Sequence, residues 1–321
     1  MYDPATEQVH VLIQENSTAV LHAVSRDFGE TWSTPVQITI SSTFAFQLPG
    51  CAHGIVVQGS LCSEPTCGGT AGRLLLPFVC HAKANGLARA RATGDVACPG
   101  CFSCIVWSDD HGATWAVGAA STQEGTRESG LAQLVLGVAA GDGAGAPAAI
   151  YASERNMGAT PGTREHSVSL DSGASFSSFG TDPGIPDVDT KNWTGVVAGV
   201  TRFDTAGSCV SAESVCSASG SECFSLRAAR SWFLSHPRPA GHHERVVITT
   251  PAGPNARANL SVFFSIDETA SWSPGSVLVP GPAGYSDAVQ LNGTAVGVLF
   301  ENGADEFAEQ ISFGCIAVAD L

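Results

Sequence analysis

Apolar residues along this chain come in short runs, rich in β-branched side chains and broken every few positions by Gly, Pro or Asn. That pattern predicts strands and turns, with almost no helix. Strands are expected at "QVHVLIQE" (8–15), "TAVLHAVS" (18–25), "GIVVQG" (54–59), "RLLLPFVC" (73–80), "SCIVWSD" (103–109), "LAQLVLGV" (131–138), "AAIYAS" (148–153), "ERVVITTP" (244–251), "LSVFFSID" (260–267), "AVGVLFE" (295–301) and "QISFGCIAVA" (310–319). "ANGLARARATGD" (84–95) has room for one helical turn and reads as a loop.

Between strands one turn chemistry recurs. "SRDFGETW" (25–32) and "SDDHGATW" (108–115) share Ser-x-Asp-x-Gly-x-Thr-Trp; "SLDSGASF" (169–176) ends in Phe176, and "SIDETASW" (265–272) has Thr269 in place of Gly. In this string Asp caps backbone N–H groups and Gly takes a positive φ, so each copy predicts a hairpin with an aromatic anchor beneath it. The aspartates Asp27, Asp110, Asp171 and Asp267 are 83, 61 and 96 residues apart, too far for a solenoid repeat. Such turns, spread over a strand-rich chain, fit a propeller in which only some blades keep the motif.

Composition narrows the function classes. The 321 residues include 36 Gly and 17 Pro, and 44% are hydrophobic, which suits one large all-β domain. A net charge of −15, with lysine only at Lys83 and Lys191, argues against nucleic acid as a partner. No run is long enough to span a membrane. Eight of the 11 Cys gather in "CSEPTC" (62–67), "CPGCFSC" (98–104) and the Ser-rich stretch 207–223. Cys98, Cys101 and Cys104 could ligate zinc, but no fourth ligand follows at matching spacing, and disulfides are the preferred reading. Sequons at Asn16, Asn192, Asn259 and Asn292 point the same way, to the secretory pathway. "MYDPATEQVH" is no signal peptide; that, and the odd Cys count, fit a chain preceded by a further N-terminal piece.

The repeated Asp box, in this order and with these gaps, resembles the sialidases (exo-α-neuraminidases), six-bladed β-propellers that cleave terminal sialic acid. Three segments sharpen the resemblance: "LPGCAHGIVV…GRLLLPFV" (48–79), "TRESGLAQLVL" with "YASERN", and "GYSDAVQLNGTAVGVLFENG" (284–303). It implies an all-β, sialidase-type propeller over residues 1–321, first blade missing or partial, with a Cys/Ser-rich surface insert at 205–225. The ligands implied are sialylated glycoproteins, glycolipids or oligosaccharides, with no cofactor or metal.

The scissile bond of a sialoside joins an anomeric carbon that already bears a carboxylate, so a neutral phenol suits the attack better than a carboxylate does. By the resemblance Tyr285 is the nucleophile and Glu128 the base that takes its proton, since a phenol of pKa about 10 needs one; Glu124 is the nearby competitor. A substrate carboxylate calls for guanidinium forks, and Arg155 and Arg257 match two of the family's three arginines. Glu301 matches the carboxylate that orients the first arginine. The four box aspartates are implied to be structural, while Arg73, Arg127 and Arg164 have no counterpart and read as surface residues. Neither the family's Arg-Ile-Pro strand nor its acid/base aspartate is found. The chain as given is therefore expected to cleave aryl sialosides slowly at best, unless Asp3 or Glu7 supplies an acid. The alternative function is a catalytically dead propeller that binds sialylated glycans or a protein partner.

Overall fold

A computed structural model describes residues 1–16, 19–41, 44, 46–58, 72–81, 100–123, 125–137, 148–157, 162–188, 195–203, 245–292 and 294–317. All regular structure among them is strand. The first sheet runs in the order β1 (Tyr2–Asp3), β2 (Gln8–Glu15), β3 (Ala19–Ser25), β4 (Val36–Ile38). The second contains β5 (Ile40–Ser41), β6 (Phe46–Pro49), β7 (Ile55–Val56), β8 (Leu74–His81), β9 (Cys101–Ser108) and β10 (Trp115–Ala120), in the order β5-β10-β9-β8-β6 with β7 also on β8. The third is a meander of β11 (Thr126–Gly137), β12 (Ala148–Asn156), β13 (Thr163–Ser169) and β14 (Ser178–Pro186). The fourth runs through β15 (Gly199–Phe203), β16 (Arg245–Pro251), β17 (Ala258–Ser265), β18 (Ser276–Asn292), β19 (Ala295–Asn302) and β20 (Gln310–Ala317).

β18 serves two partners. It pairs with β17 up to Pro282 and with β19 from Ala283 onward, so one strand leaves one half of the fourth sheet and enters the other. The whole is an incomplete, propeller-like array of sheets. Its core sits in the seams: Val20, Phe78, Val106 and Trp115 fill the first seam, Leu75, Ile105, Leu131 and Ile150 the second, and Tyr151, Ile185, Val200, Ile248 and Phe263 the third. Inner strands surround a cavity of about 1060 Å³ lined by Met1, His53, Gln58, Leu131, Arg202 and Leu291 among others.

The recurrent turns connect β3 to β4, β9 to β10, β13 to β14 and β17 to β18. In each, two successive residues take positive φ: Phe28 and Gly29, His111 and Gly112, Ser172 and Gly173, Glu268 and Thr269. The box aspartate accepts its own turn's donors. Asp110, for example, takes Ser108 Oγ at 2.8 Å, the Thr114 amide at 2.8 Å and Thr114 Oγ1 at 2.6 Å. Trp115 is 3% exposed beneath its turn, whereas Trp32 is 45% exposed, so the anchor is not buried in every copy.

Several expectations are corrected. Arg164 is fully buried, donating to Ser153 Oγ at 2.7 Å, Val196 O at 2.7 Å and Asp187 at 3.3 Å. Arg73 is buried as well, paired with Asp109 at 2.7 Å and stacked on Trp107. Neither is a surface residue: Arg164 neutralises the buried Asp187, and Arg73 reaches out from beneath to the half-exposed Asp109. Asp3 is 0% exposed and takes the Ala5 amide, Thr6 Oγ1 and His111 Nδ1, which makes it a cap and not an acid open to a substrate. Cys80 and Cys104 form a disulfide across β8 and β9. That decides Cys104 against zinc, while Cys51 and Cys315 are free. The insert 205–225, Cys98, the 62–67 cysteines, Glu124 and Asn192 lie outside the described residues.

Candidate functional site

The chemistry gathers where side chains from β11, β12 and β18 converge, with β15 packed against both β11 and β18. β12 is buried along its whole length, and Arg155 is its penultimate residue. Glu128 lies in the opening turn of the antiparallel partner β11, inside a register break between Thr126 and Ser129 that aims it across at Arg155. Arg155 Nη1 donates to Glu128 Oε2 at 3.0 Å, to Glu128 Oε1 at 3.2 Å and to the Tyr285 hydroxyl at 2.9 Å. Tyr285 follows the β17-to-β19 crossing of β18, and its amide donates to Glu301 Oε2 at 3.0 Å. A side chain at Gly284 would run into the Glu301 carboxylate and Phe307, so Gly is needed beside the tyrosine. Arg257 sits over the Tyr285 ring at 5.1 Å and the Phe307 ring at 4.8 Å, and donates to Gly195 O at 3.2 Å.

Gly195 joins the two arginines. It adopts φ +64°, its carbonyl takes Arg257, and a Cβ there would meet Arg155 Cγ at 2.5 Å. Asp187, 2% exposed, ties this segment down by accepting from the Asn156 and Val196 amides at 2.8 and 3.1 Å.

Glu128 is 9% exposed, Arg155 4% and Arg257 8%, so these charges act in a low-dielectric setting. Burial works against ionising Glu128, but Arg155 and Arg127 outweigh it and hold the carboxyl below its ordinary value. The Tyr285 phenol is pushed up by burial and then by Glu128, with Arg155 and Arg257 offsetting part of the rise. Burial lowers Arg257, while Glu128, Tyr285 and Asp187 hold Arg155 above its ordinary value against its own burial. At neutral pH the site thus holds a neutral phenol, an ionised carboxylate and two cations.

Tyr285, Glu128, Arg155, Arg257 and Glu301 are therefore brought together. Two details differ from the sequence-based expectation. Arg155 stands between Glu128 and Tyr285, and Glu301 holds the tyrosine amide. Asp27, Asp110, Asp171 and Asp267 stay in their own turns. Sequence reasoning missed Gly195, Phe307, Arg127 and Cys51. Local signal existed only for Arg127, which stands beside Glu128.

Residues 6–298 match the BNR repeat-like domain, nearly the whole chain. The chain belongs to that family. Its fold is that of solved sialidases: the Hadza microbial sialidase Hz136 superposes with a TM-score of 0.62 at 17% identity, covering 99% of this chain and 51% of that one. The leech intramolecular trans-sialidase gives 0.57 at 17% identity over 94% of this chain and 37% of its own. The NanB sialidase of Streptococcus pneumoniae gives 0.57 at 15% over 94% and 36%. This family member thus spans about half the length of those chains or less, and at these identities the likeness is one of fold.

Proposed function

We propose that the protein is a retaining exo-α-sialidase, a glycoside hydrolase of terminal sialic acid, and that this chain, with no acid among the described residues placed to protonate an alkoxide, acts on aryl sialosides. The observation that supports this most is the Arg155 fork joining Glu128 to Tyr285 beside a second guanidinium, Arg257. A substrate carboxylate entering between the two arginines competes with Glu128 for Arg155. Glu128 then loses its cationic partner and becomes more basic as the phenol needs to lose its proton. Tyr285 Oη bonds to the anomeric carbon as its phenolic proton passes to Glu128, and an aryl leaving group departs with the bonding pair as a stabilised phenolate, which needs no acid in the site. Water then attacks the anomeric carbon and displaces Tyr285, which takes its proton back from Glu128, while the water's proton passes through solvent to the departed phenolate, giving net retention through two displacements. Phe307, against Arg257, offers an apolar wall to the sugar face. The buried Cys80–Cys104 disulfide supports an oxidising, secretory setting.

Tyr285→Phe is the test. Release of free sugar from an aryl α-sialoside is expected to be lost, while affinity for an unsaturated sialic acid analogue stays within about a factor of three, because the phenol acts in bond making and the arginines in binding. Parental turnover by the Phe variant would remove Tyr285 as nucleophile. Binding of the analogue by the parent with no release from any sialoside would leave a lectin in place of an enzyme.

A further inference from the structure

His53 and Asp287 meet from 234 residues apart, outside the set the reaction uses. The ring Nδ1 of His53 lies 2.7 Å from Asp287 Oδ1, and its backbone N–H donates to Asp287 Oδ2 at 3.1 Å, so both carboxylate oxygens are engaged by one residue. With the carboxylate as acceptor, Nδ1 carries the proton. Asp287 stands two residues after Tyr285 on β18, on the same face of the strand. The segment that carries His53 comes near the site: the Cys51 thiol is pushed up by burial and then by Glu128 and Glu301. Tyr285 is thus flanked by two tethers of β18. Glu301 holds its amide, and His53 holds the carboxylate that follows it.

We propose that His53, through its doubly bonded contact with Asp287, is the positioning residue for Tyr285, fixing the register of β18 that sets the phenol against Arg155 and Glu128. This rests on the reading of Tyr285 as nucleophile. The side chain at 53 acts through its Nδ1–H alone. An Asn at 53 offers an amide N–H near the same place, whereas Ala removes the side-chain donor and leaves Asp287 with backbone donors alone, the N–H of residue 53 and the Ala288 amide.

The experiment compares H53A and H53N with the parent, in the full chain. H53A is expected to lose 10- to 100-fold in kcat on an aryl α-sialoside, the scale on which small misplacement of a reacting group acts. Its KM, and its affinity for an unsaturated sialic acid analogue, should change less than about twofold, since Arg155 and Arg257 are untouched. H53N should recover most of kcat. A second readout needs no turnover: with only three tyrosines, the Tyr285 phenol can be titrated by carbon NMR in ring-labelled protein. In H53A it should fall back toward the ordinary tyrosine value as the ring leaves its buried place, and in H53N it should stay raised. An unmoved phenol in H53A, or H53N as impaired as H53A, would overturn the proposal. If the parent turned over no sialoside, the function would fail on that count while the titration still decided the tether.

Discussion

At the scale of single residues, the site is a balance of buried charges in which each guanidinium has a geometric task. Arg257 lies flat over two rings and reaches a backbone carbonyl, a use that needs the planar fork. Arg257→Lys replaces the fork by a point charge that cannot stack and bond at once. Binding of an unsaturated sialic acid analogue should weaken by roughly 1.5–3 kcal/mol, the scale of a charge-assisted hydrogen bond. Calorimetry on the two proteins checks it, and an unchanged Kd would place Arg257 outside the carboxylate pocket. The residue scale also shows what the sequence could express. Tyr285, Glu128, Arg155 and Arg257 could be singled out because the short motifs that hold them resemble those of the sialidases. Gly195 and His53 were not, since their roles exist only through contacts with Arg155, Arg257 and Asp287, far away along the chain. Arg164 misled for a related reason: an arginine reads as exposed until its three buried acceptors are in place.

At the scale of elements, apolar runs identified β2, β3, β8, β9, β11, β12, β16, β17, β19 and β20; in most of these the strand's own side chains fill the core, while β20 is apolar yet largely exposed. They missed β13, "TREHSVS", because its Arg164 and His166 are met by Asp187 and Asp182 and its Glu165 by the Gln123 amide, all from elsewhere in the array. They missed β14 and the first half of β18, where Gly and Pro sit in strands that pair along one side only. The turns between strands were read correctly because their chemistry is local. Their stabilising role gives a prediction. Asp171 accepts from Ser169 Oγ at 2.7 Å and from the Ser175 amide and hydroxyl at 2.8 and 2.5 Å, and these bonds hold its carboxyl below the ordinary range against its partial burial. Asp171→Ala leaves those donors without the carboxylate and should cost roughly 1–3 kcal/mol of stability. In a urea titration the midpoint should fall at unchanged m-value, with affinity for the sialic acid analogue retained. A variant as stable as the parent would mean that the backbone holds this turn without help. The fourth copy shows how far the turn tolerates change: Thr269 takes φ +67° where glycine is the usual choice, and Trp272 bonds Asp182 at 3.0 Å across the seam.

At the scale of the whole molecule, the seams between sheets carry titratable groups whose folded values are displaced in opposite directions. In the seam between the second and third sheets, Glu154 is 0% exposed, and burial, helped by neighbouring Glu165, pushes it up to about 8, while bonds from Ser167, Ser121 and Ser103 only partly compensate. Between the first and second sheets His10 is 2% exposed, stacked on His22, and burial and then His22 lower it to about 4. The folded state therefore keeps a proton on Glu154 that the unfolded chain releases. This contribution to stability is complete below the ordinary carboxyl value and is lost as pH rises through about 8, at up to about 1.4 kcal/mol per pH unit in between. For His10 the order reverses: its contribution is complete above the ordinary histidine value and is lost as pH falls through about 4. The two slopes oppose each other only over the mildly acidic range, so the fold should be most stable there. Glu154→Gln keeps the size and hydrogen-bonding capacity of the neutral acid but has no proton to lose. Its melting temperature, relative to the parent, should be nearly unchanged at pH 4 and should climb steadily from about pH 5 to pH 8. Thermal melts of both proteins across that range test it. Parallel curves would mean that Glu154 is ionised in the folded protein, held by a positive partner in the seam.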